Sequence, residues 1–330
     1  MTDASSNPPS RSTTDLSAAF EARTALVTGG AGFIGSHLVD ALLELGATVH
    51  VIDDGSTGHP EQLPHDHERL RFWPASILDE QAVAEAVRGC RYVFHHAAMV
   101  SVPQSAAEPV RCGEVNLVGL QRVMEAAREA GVRRIVFASS SAVYGDEPER
   151  PSREDVALQC ASPYAASKAA GEAFLAAYAR CYGIDAVSLR YFNVFGPRQD
   201  PTSPYAAAIA AFIDAARGGR PPRIFGDGMQ TRDFIAVADV VNATLRAAAA
   251  PERLNGLAIN IATGRSITLI DVLNALGRVL EKRIESAFED PRPGDVRHSA
   301  AEVSRARDVL GFEAAVGFEE GLRRTLEALD

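Results

Sequence analysis

Tyr164 and Lys168 stand four residues apart, so on a helix they share one face about one turn apart. Such a pair can act as a general base. An ammonium beside a phenol favours the tyrosinate and lowers the tyrosine pKa from about 10 toward neutrality. The helix itself is signalled by Ser162-Pro163, because a proline near the first turn gives up an N–H that would be unpaired anyway. The choice of cation is informative. The chain holds two lysines, Lys168 and Lys282, against 31 arginines, so a lysine at this position suggests a need for a compact point charge rather than a planar fork. Taken alone, Tyr-x-x-x-Lys also arises by chance on solvated helices. A run of hydroxyls, Ser139-Ser140-Ser141, follows an apolar β-rich segment. That places them at the carboxyl edge of a sheet, where open α/β folds bind ligands, although such serines can also satisfy loop backbone.

A second constellation lies near the amino end. The segment Thr28-Gly29-Gly30-Ala31-Gly32-Phe33-Ile34-Gly35 fits both G-x-G-x-x-G and G-x-x-G-x-x-G between a strand and a helix. Glycines there allow a tight turn and close approach of a pyrophosphate to free helix N–H groups, so Gly29, Gly32, Phe33, Ile34 and Gly35 are candidate dinucleotide contacts. Asp53 ends the next strand, 18 residues beyond Gly35. A carboxylate at that point can accept from ribose hydroxyls and repel a 2′-phosphate, so NAD is expected over NADP. No arginine intervenes before Arg69. Asp53 could also serve only as a turn-former before Gly55.

These groups need a scaffold, and the pattern supplies an α/β one. Short β-rich runs (TALVT, ATVHVID, RLRFW, RYVFHHAA, RRIVFASS, DAVSLRY) alternate with helical stretches at about 33–45, 80–87, 109–130 and 163–182. The expectation is a Rossmann-type doubly wound parallel sheet over residues 23–192, with a smaller α/β substrate lobe over 193–330 and the chain free to cross back to the first. Residues 1–22 read as a disordered tail without the basic and apolar regions of a secretory signal. The net charge of −10 argues against nucleic-acid or anionic-membrane partners, and no apolar run is long enough for a spanning helix. Four cysteines without a C-x-x-C pair exclude a zinc knuckle and disfavour a disulfide framework, so the expected compartment is the cytoplasm. His95 and His96, adjacent on a strand, point to opposite faces and cannot share a metal ion; none is expected.

Together these pieces resemble the extended short-chain dehydrogenase/reductase superfamily, in its branch of nucleotide-sugar epimerases and dehydratases. The likeness runs from about residue 24 to 328 through TGGAGFIG, HHAAMVSVPQS, SSSAVYG, SPYAASK, RYFNVFGPRQDP, GDGMQTRDF and PRPGDVRHS. It implies a tightly held, recycled NAD and a 4-keto sugar that turns over in the pocket. By the same resemblance Tyr164 is the base, Lys168 binds the nicotinamide ribose and Ser140 bonds O4, with Ser141 beside it. Asn193, Arg232 and Arg292 match positions that grip the diphosphate, as do Arg198 and Gln199 less closely, and Asp295 matches a ribose contact. Dehydratases and decarboxylases of the family carry carboxyl groups where this chain has Ser141 and Ala142, so C4 epimerisation is the implied outcome. Ser299, four residues after Asp295, matches a position bordering the sugar C2 substituent, where a small residue admits an acetamido group. The pattern is similar to UDP-N-acetylglucosamine 4-epimerases and implies a homodimer built on the 109–130 and 163–182 helices. UDP-glucose/UDP-galactose or UDP-glucuronate epimerisation, nucleotide-sugar C4 reduction and a non-catalytic nucleotide-sugar sensor are the alternatives. Ser76 departs from the family's usual Asp against adenine, and Leu120-Gln121 replaces a frequent Thr-Asn.

Overall fold

The computed structural model describes residues 16–146, 151–200, 208–290 and 297–329. The chain opens with α1 (Leu16–Phe20), β1 (Thr24–Thr28), α2 (Phe33–Glu44), β2 (Thr48–Ile52), β3 (Leu70–Trp73), α3 (Glu80–Val87) and β4 (Tyr92–His95). It continues through α4 (Val102–Ala107), α5 (Pro109–Gly113), a π-helical turn (Glu114–Val118), α6 (Gly119–Glu129), β5 (Arg134–Ser140), a 3-10 turn (Ser141–Tyr144), α7 (Pro163–Tyr182) and β6 (Asp185–Tyr191). The later part comprises β7 (Val194–Phe195), α8 (Ala208–Arg217), β8 (Arg223–Phe225), β9 (Thr231–Asp233), β10 (Ile235–Ala236), α9 (Val237–Ala249) and β11 (Leu257–Ile261). It ends with β12 (Ser266–Thr268), α10 (Leu269–Val279), β13 (Ala287–Glu289), α11 (Ser304–Leu310) and α12 (Phe318–Glu327).

Seven strands form one sheet in the order β11-β6-β5-β4-β1-β2-β3, parallel throughout. The expected doubly wound Rossmann architecture is what the chain adopts. Strands such as Arg134–Ser140 and Asp185–Tyr191 are buried along nearly their whole length, because helices cover both faces. Phe20, Leu38, Leu42, Val240 and Ala306 close one face, and Val83, Leu120, Val123 and Leu175 close the other. A third core, including Phe212, Ile213, Leu273 and Leu322, belongs to α8, α10 and α12.

Three features differ from the sequence reading. Of the expected tail over 1–22, residues 1–15 lie outside the described residues, whereas Leu16–Phe20 is helical and Phe20 is fully buried against Tyr92 and Phe94. One aromatic with a core site to fill is enough to tie down a polar segment. The helical stretch at 109–130 contains the π turn, which shifts the register around Asn116. The sheet gains a seventh strand, β11, from the later part of the chain. It returns through α9, whose carboxyl end is capped by the buried Arg134: Nη1 donates to the carbonyls of Ala247 (2.8 Å) and Ala250 (2.8 Å), while Nε meets Asp185 (2.6 Å).

Candidate active site

The glycine loop runs directly from β1 into α2. Gly32 caps α2 without a side-chain bond, so the first-turn amides, which include Phe33, Ile34 and Gly35, have no intrahelical acceptor and face outward. Two glycines are dictated by contact. Gly29 adopts φ +68°, and a Cβ there would fall 2.6 Å from the Ala97 nitrogen. A Cβ at Gly35 would fall 2.1 Å from the Gly29 carbonyl oxygen. The result is a bare-backbone cradle that side chains cannot enter. Asp53 stands beside it at the end of β2, accepting from the Ala31 amide (3.0 Å) and the Gly55 amide (2.9 Å). Its turn-forming role is therefore real, and it also clasps the loop. Burial raises its pKa against those two amide bonds. The Ser76 Oγ accepts from the Leu78 amide at 3.3 Å.

Across the carboxyl edge of the sheet, α7 brings the chemical groups together. Ser162 caps the helix by accepting from the Ala165 amide at 3.1 Å, and Tyr164 is held at its own amide by Ser105 Oγ (3.2 Å). The Ser140 side chain lies near enough to the Tyr164 hydroxyl to act on its pKa. Ser140 caps the 3-10 turn that begins at Ser141, accepting from the Ala142 amide at 3.1 Å. Lys168 is 3% exposed; its Nζ donates to the Ala138 carbonyl (2.7 Å) and lies 5.8 Å from the centroid of the Tyr164 ring. Tyr164 and Lys168 on α7 are thus placed beside the carboxyl end of β5, which carries Ser140.

The expected depression of the Tyr164 pKa is corrected by the structure. Burial raises it, and the neighbouring Ser140 hydroxyl opposes that rise only in part. Lys168 is itself desolvated, which lowers its pKa to about 8, and its ammonium is bonded to a carbonyl of β5 rather than to the phenol. Two further buried groups surround it. His95 and His96 have depressed pKa values, His96 down to about 4, through burial first and the Lys168 charge second. Both are neutral at pH 7, and among the described residues no group of three or more His, Cys, Asp or Glu could hold a metal ion. The Nε2 of His95 and the Nδ1 of His96 are buried without a hydrogen-bond partner.

Three of the substrate candidates lie on or beside β9. Arg232 lies on it, Asn193 Nδ2 donates to the Asp233 carbonyl (3.1 Å), and the Ser299 amide donates to the Thr231 carbonyl (3.0 Å). Arg292 and Asp295 lie outside the described residues. Arg198 pairs with Asp40 of α2 (2.8 Å) and Gln199 donates to the Val194 carbonyl (3.1 Å), so both already serve the scaffold. Several residues were not foreseen. Asn116, on the π turn, clamps Met99 through its amide (2.7 Å) and carbonyl (3.0 Å) and reaches Ser167 (3.0 Å). Asp233 accepts from Thr263 and Gly264, and Glu172 binds Arg190 in the interior. A sequence signal existed for the last pair alone: a charge in the middle of the apolar strand Leu189-Arg190-Tyr191 must find a partner.

A glycine cradle, an uncapped helix start, a carboxylate at the end of β2 and unpartnered polar atoms at the carboxyl edge fit NAD. Comparison with known proteins agrees: residues 25–262 match the NAD dependent epimerase/dehydratase family. The chain belongs to that family. It is an NAD-dependent epimerase and hence an isomerase. Among its relatives, UDP-glucose 4-epimerase of Mycolicibacterium smegmatis is 41% identical over 92% of this chain and 97% of its own length. A solved UDP-N-acetylglucosamine 4-epimerase of Methanobrevibacter ruminantium, in complex with UDP-N-acetylmuramic acid, superposes with TM-score 0.90 at 41% identity, covering 94% of this chain and 98% of its own. The UDP-glucose 4-epimerase of Thermus thermophilus complexed with NAD gives TM-score 0.84 at 38% identity, covering 92% and 98%.

Proposed function

We propose that this epimerase inverts C4 of a UDP-sugar and that its substrate pair is UDP-N-acetylglucosamine and UDP-N-acetylgalactosamine. The glycine cradle and Asp53 would hold NAD, which would supply the reversible hydride exchange at the sugar C4. The remaining work falls to the chain. Tyr164 takes the O4 proton and returns it, Ser140 holds O4 against the phenol, and Lys168 stabilises the phenolate by its charge. Arg232 and Asn193, with Arg292 and Asp295, grip the nucleotide. Ser141 and Ala142 leave no carboxyl group to drive loss of water, so the keto sugar is reduced again rather than dehydrated.

The observation that carries the acetamido reading is the small side chain of Ser299, on a segment hydrogen-bonded to β9 next to Arg232. A larger side chain there would occupy the space beside the sugar that an acetamido group needs. A small residue does not exclude plain hexoses, and similarity to the mycobacterial relative keeps UDP-glucose/UDP-galactose as the second reading. Proton NMR of the purified protein with NAD and each UDP-sugar tests both; no interconversion of either pair would refute the reaction. Ser299→Tyr is expected to lower kcat/KM for UDP-N-acetylglucosamine by about 10- to 200-fold while leaving UDP-glucose within threefold, the usual range for one misfitting group. Equal effects on the two sugars would remove Ser299 as the gate.

The functional unit we infer is a cytoplasmic homodimer. No helix among the described residues is long and apolar enough to cross a membrane. Val110 (75% exposed), Val118 and Tyr182 leave apolar surface on α5, the π turn and α7, the region expected to pair across a two-fold axis. Light scattering should return twice the chain mass; a monomer at micromolar concentration would dismiss this arrangement.

A further inference from the structure

Lys168 and Glu172 are one turn apart on the same side of α7 and dock onto consecutive residues at the end of β5. Lys168 Nζ donates to the Ala138 carbonyl at 2.7 Å, and Ser139 Oγ donates to Glu172 Oε1 at 2.5 Å. Glu172 is 7% exposed. Arg190 of β6 completes its surroundings, with Nε 2.9 Å from Oε1 and Nη2 2.6 Å from Oε2. The other Arg190 nitrogen, Nη1, donates to the Tyr144 hydroxyl (2.8 Å), which in turn donates to Asn260 Oδ1 of β11 (2.7 Å). Asn260 Nδ2 then donates to the carbonyls of Ser152 (3.0 Å) and Glu302 (3.1 Å). Two residues, Ser139 and Arg190, thus fix one carboxylate with three hydrogen bonds.

A buried ion pair is weak evidence of stabilisation, because desolvation of both charges offsets their attraction. Its placement is more telling. Ser139 holds the carboxylate on the β5 side, next to the strand residue that receives the ammonium; without Ser139, Arg190 would draw it toward β6. We infer that Glu172, held by Ser139 and Arg190, is the positioning residue that keeps Lys168 an ammonium at its station beside Tyr164. The inference rests on the role given to Lys168 in the proposed reaction.

The groups facing Lys168 are Cys112 from α5, Tyr164 and Glu172 from α7, His95 and His96 from β4 and its end, and Phe137 and Ala138 from β5. Glu172 in turn faces Ser139, Arg190, Lys168 and Cys160. Burial lowers the Lys168 pKa, and Cys112 and Glu172 work against it. Removing the carboxylate charge therefore lets Lys168 lose its proton at lower pH.

The two-lysine composition makes this directly measurable. Lysine labelled with carbon-13 at Cε gives two resonances, and the one lost in Lys168→Met belongs to Lys168. In Glu172→Gln its titration midpoint should fall by about one pH unit, the size of effect a neighbouring charge has, and the pH at which the rise of kcat levels off should move with it. Glu172→Asp, which retains the charge, should restore most of the shift. Ser139→Ala leaves the Arg190 pair intact and should move the midpoint in the same direction, which keeps the test open if Glu172→Gln does not fold. The Glu172→Gln shift should persist in a Cys112→Ser background. An unchanged Lys168 midpoint in the folded Glu172 and Ser139 variants, or a shift abolished by Cys112→Ser, overturns the inference. A wild-type chain without epimerase activity would overturn the reaction instead, leaving the titration to be read on its own.

Discussion

Tyr164→Phe is expected to lower kcat by about a hundredfold to ten-thousandfold, the contribution of one positioned acid–base group, equivalent to about 2.7–5.4 kcal/mol of barrier. The substitution removes one oxygen and leaves the ring, the helix cap at Ser162 and the Lys168 contact to Ala138 in place. Affinity for NAD and for the UDP-sugar should therefore stay within about threefold of wild type, a loss made in the transition state alone. Activity and ligand affinity, measured side by side, separate an enzyme from a nucleotide-sugar sensor; unchanged turnover would remove Tyr164 as the base. The pH dependence adds a second readout. Because burial raises the Tyr164 pKa, the phenolate forms only as pH rises, so wild-type activity should climb with pH from the acid side. The rise should level off once Lys168, at about 8, begins to lose its charge, because further phenolate is then offset by the loss of the ammonium. Residual activity of Tyr164→Phe should lack the acid-side rise.

Gly35→Ala is expected to abolish stoichiometric NAD binding, with affinity lower by about a hundredfold or more, which corresponds to about 2.8 kcal/mol. The added methyl would stand 2.1 Å from the Gly29 oxygen and 2.9 Å from the Gly30 Cα. These are backbone atoms, so no side chain can swing aside. Gly29 has little room to retreat, since the space where its own Cβ would stand is closed by the Ala97 backbone, 2.6 Å from that position. The loop must open, and with it the row of amides at the start of α2 that would receive the pyrophosphate. Overpacking of this kind also costs roughly 1–3 kcal/mol of stability. Nucleotide released on denaturation of the purified variant, counted per chain, checks the first effect and a lowered Tm checks the second. A variant that retains NAD like the wild type would show that the cradle is not the cofactor site.

What was legible in the sequence was local or periodic. The glycine run between β1 and α2, the Tyr164–Lys168 spacing on a helix opened by Ser162-Pro163, and six of the seven sheet strands follow from backbone sterics and apolar repeats over short stretches. The same holds for Ser140 at the end of β5, because a strand's carboxyl edge is readable once the strand is. Tertiary structure alone decided the rest. β11 joins the sheet only because α9 carries the chain back across it. Phe20 becomes core only because Tyr92 and Phe94 lie over it. The upward direction of the Tyr164 pKa, and the seating of Lys168 between the Ala138 carbonyl and the Ser139–Glu172–Arg190 bonds, depend on how much water distant segments exclude. Burial is a sum over residues far apart along the chain, whereas spacing is a property of neighbours, and this is why candidate catalytic groups could be named from the sequence while the direction of their pKa shifts could not.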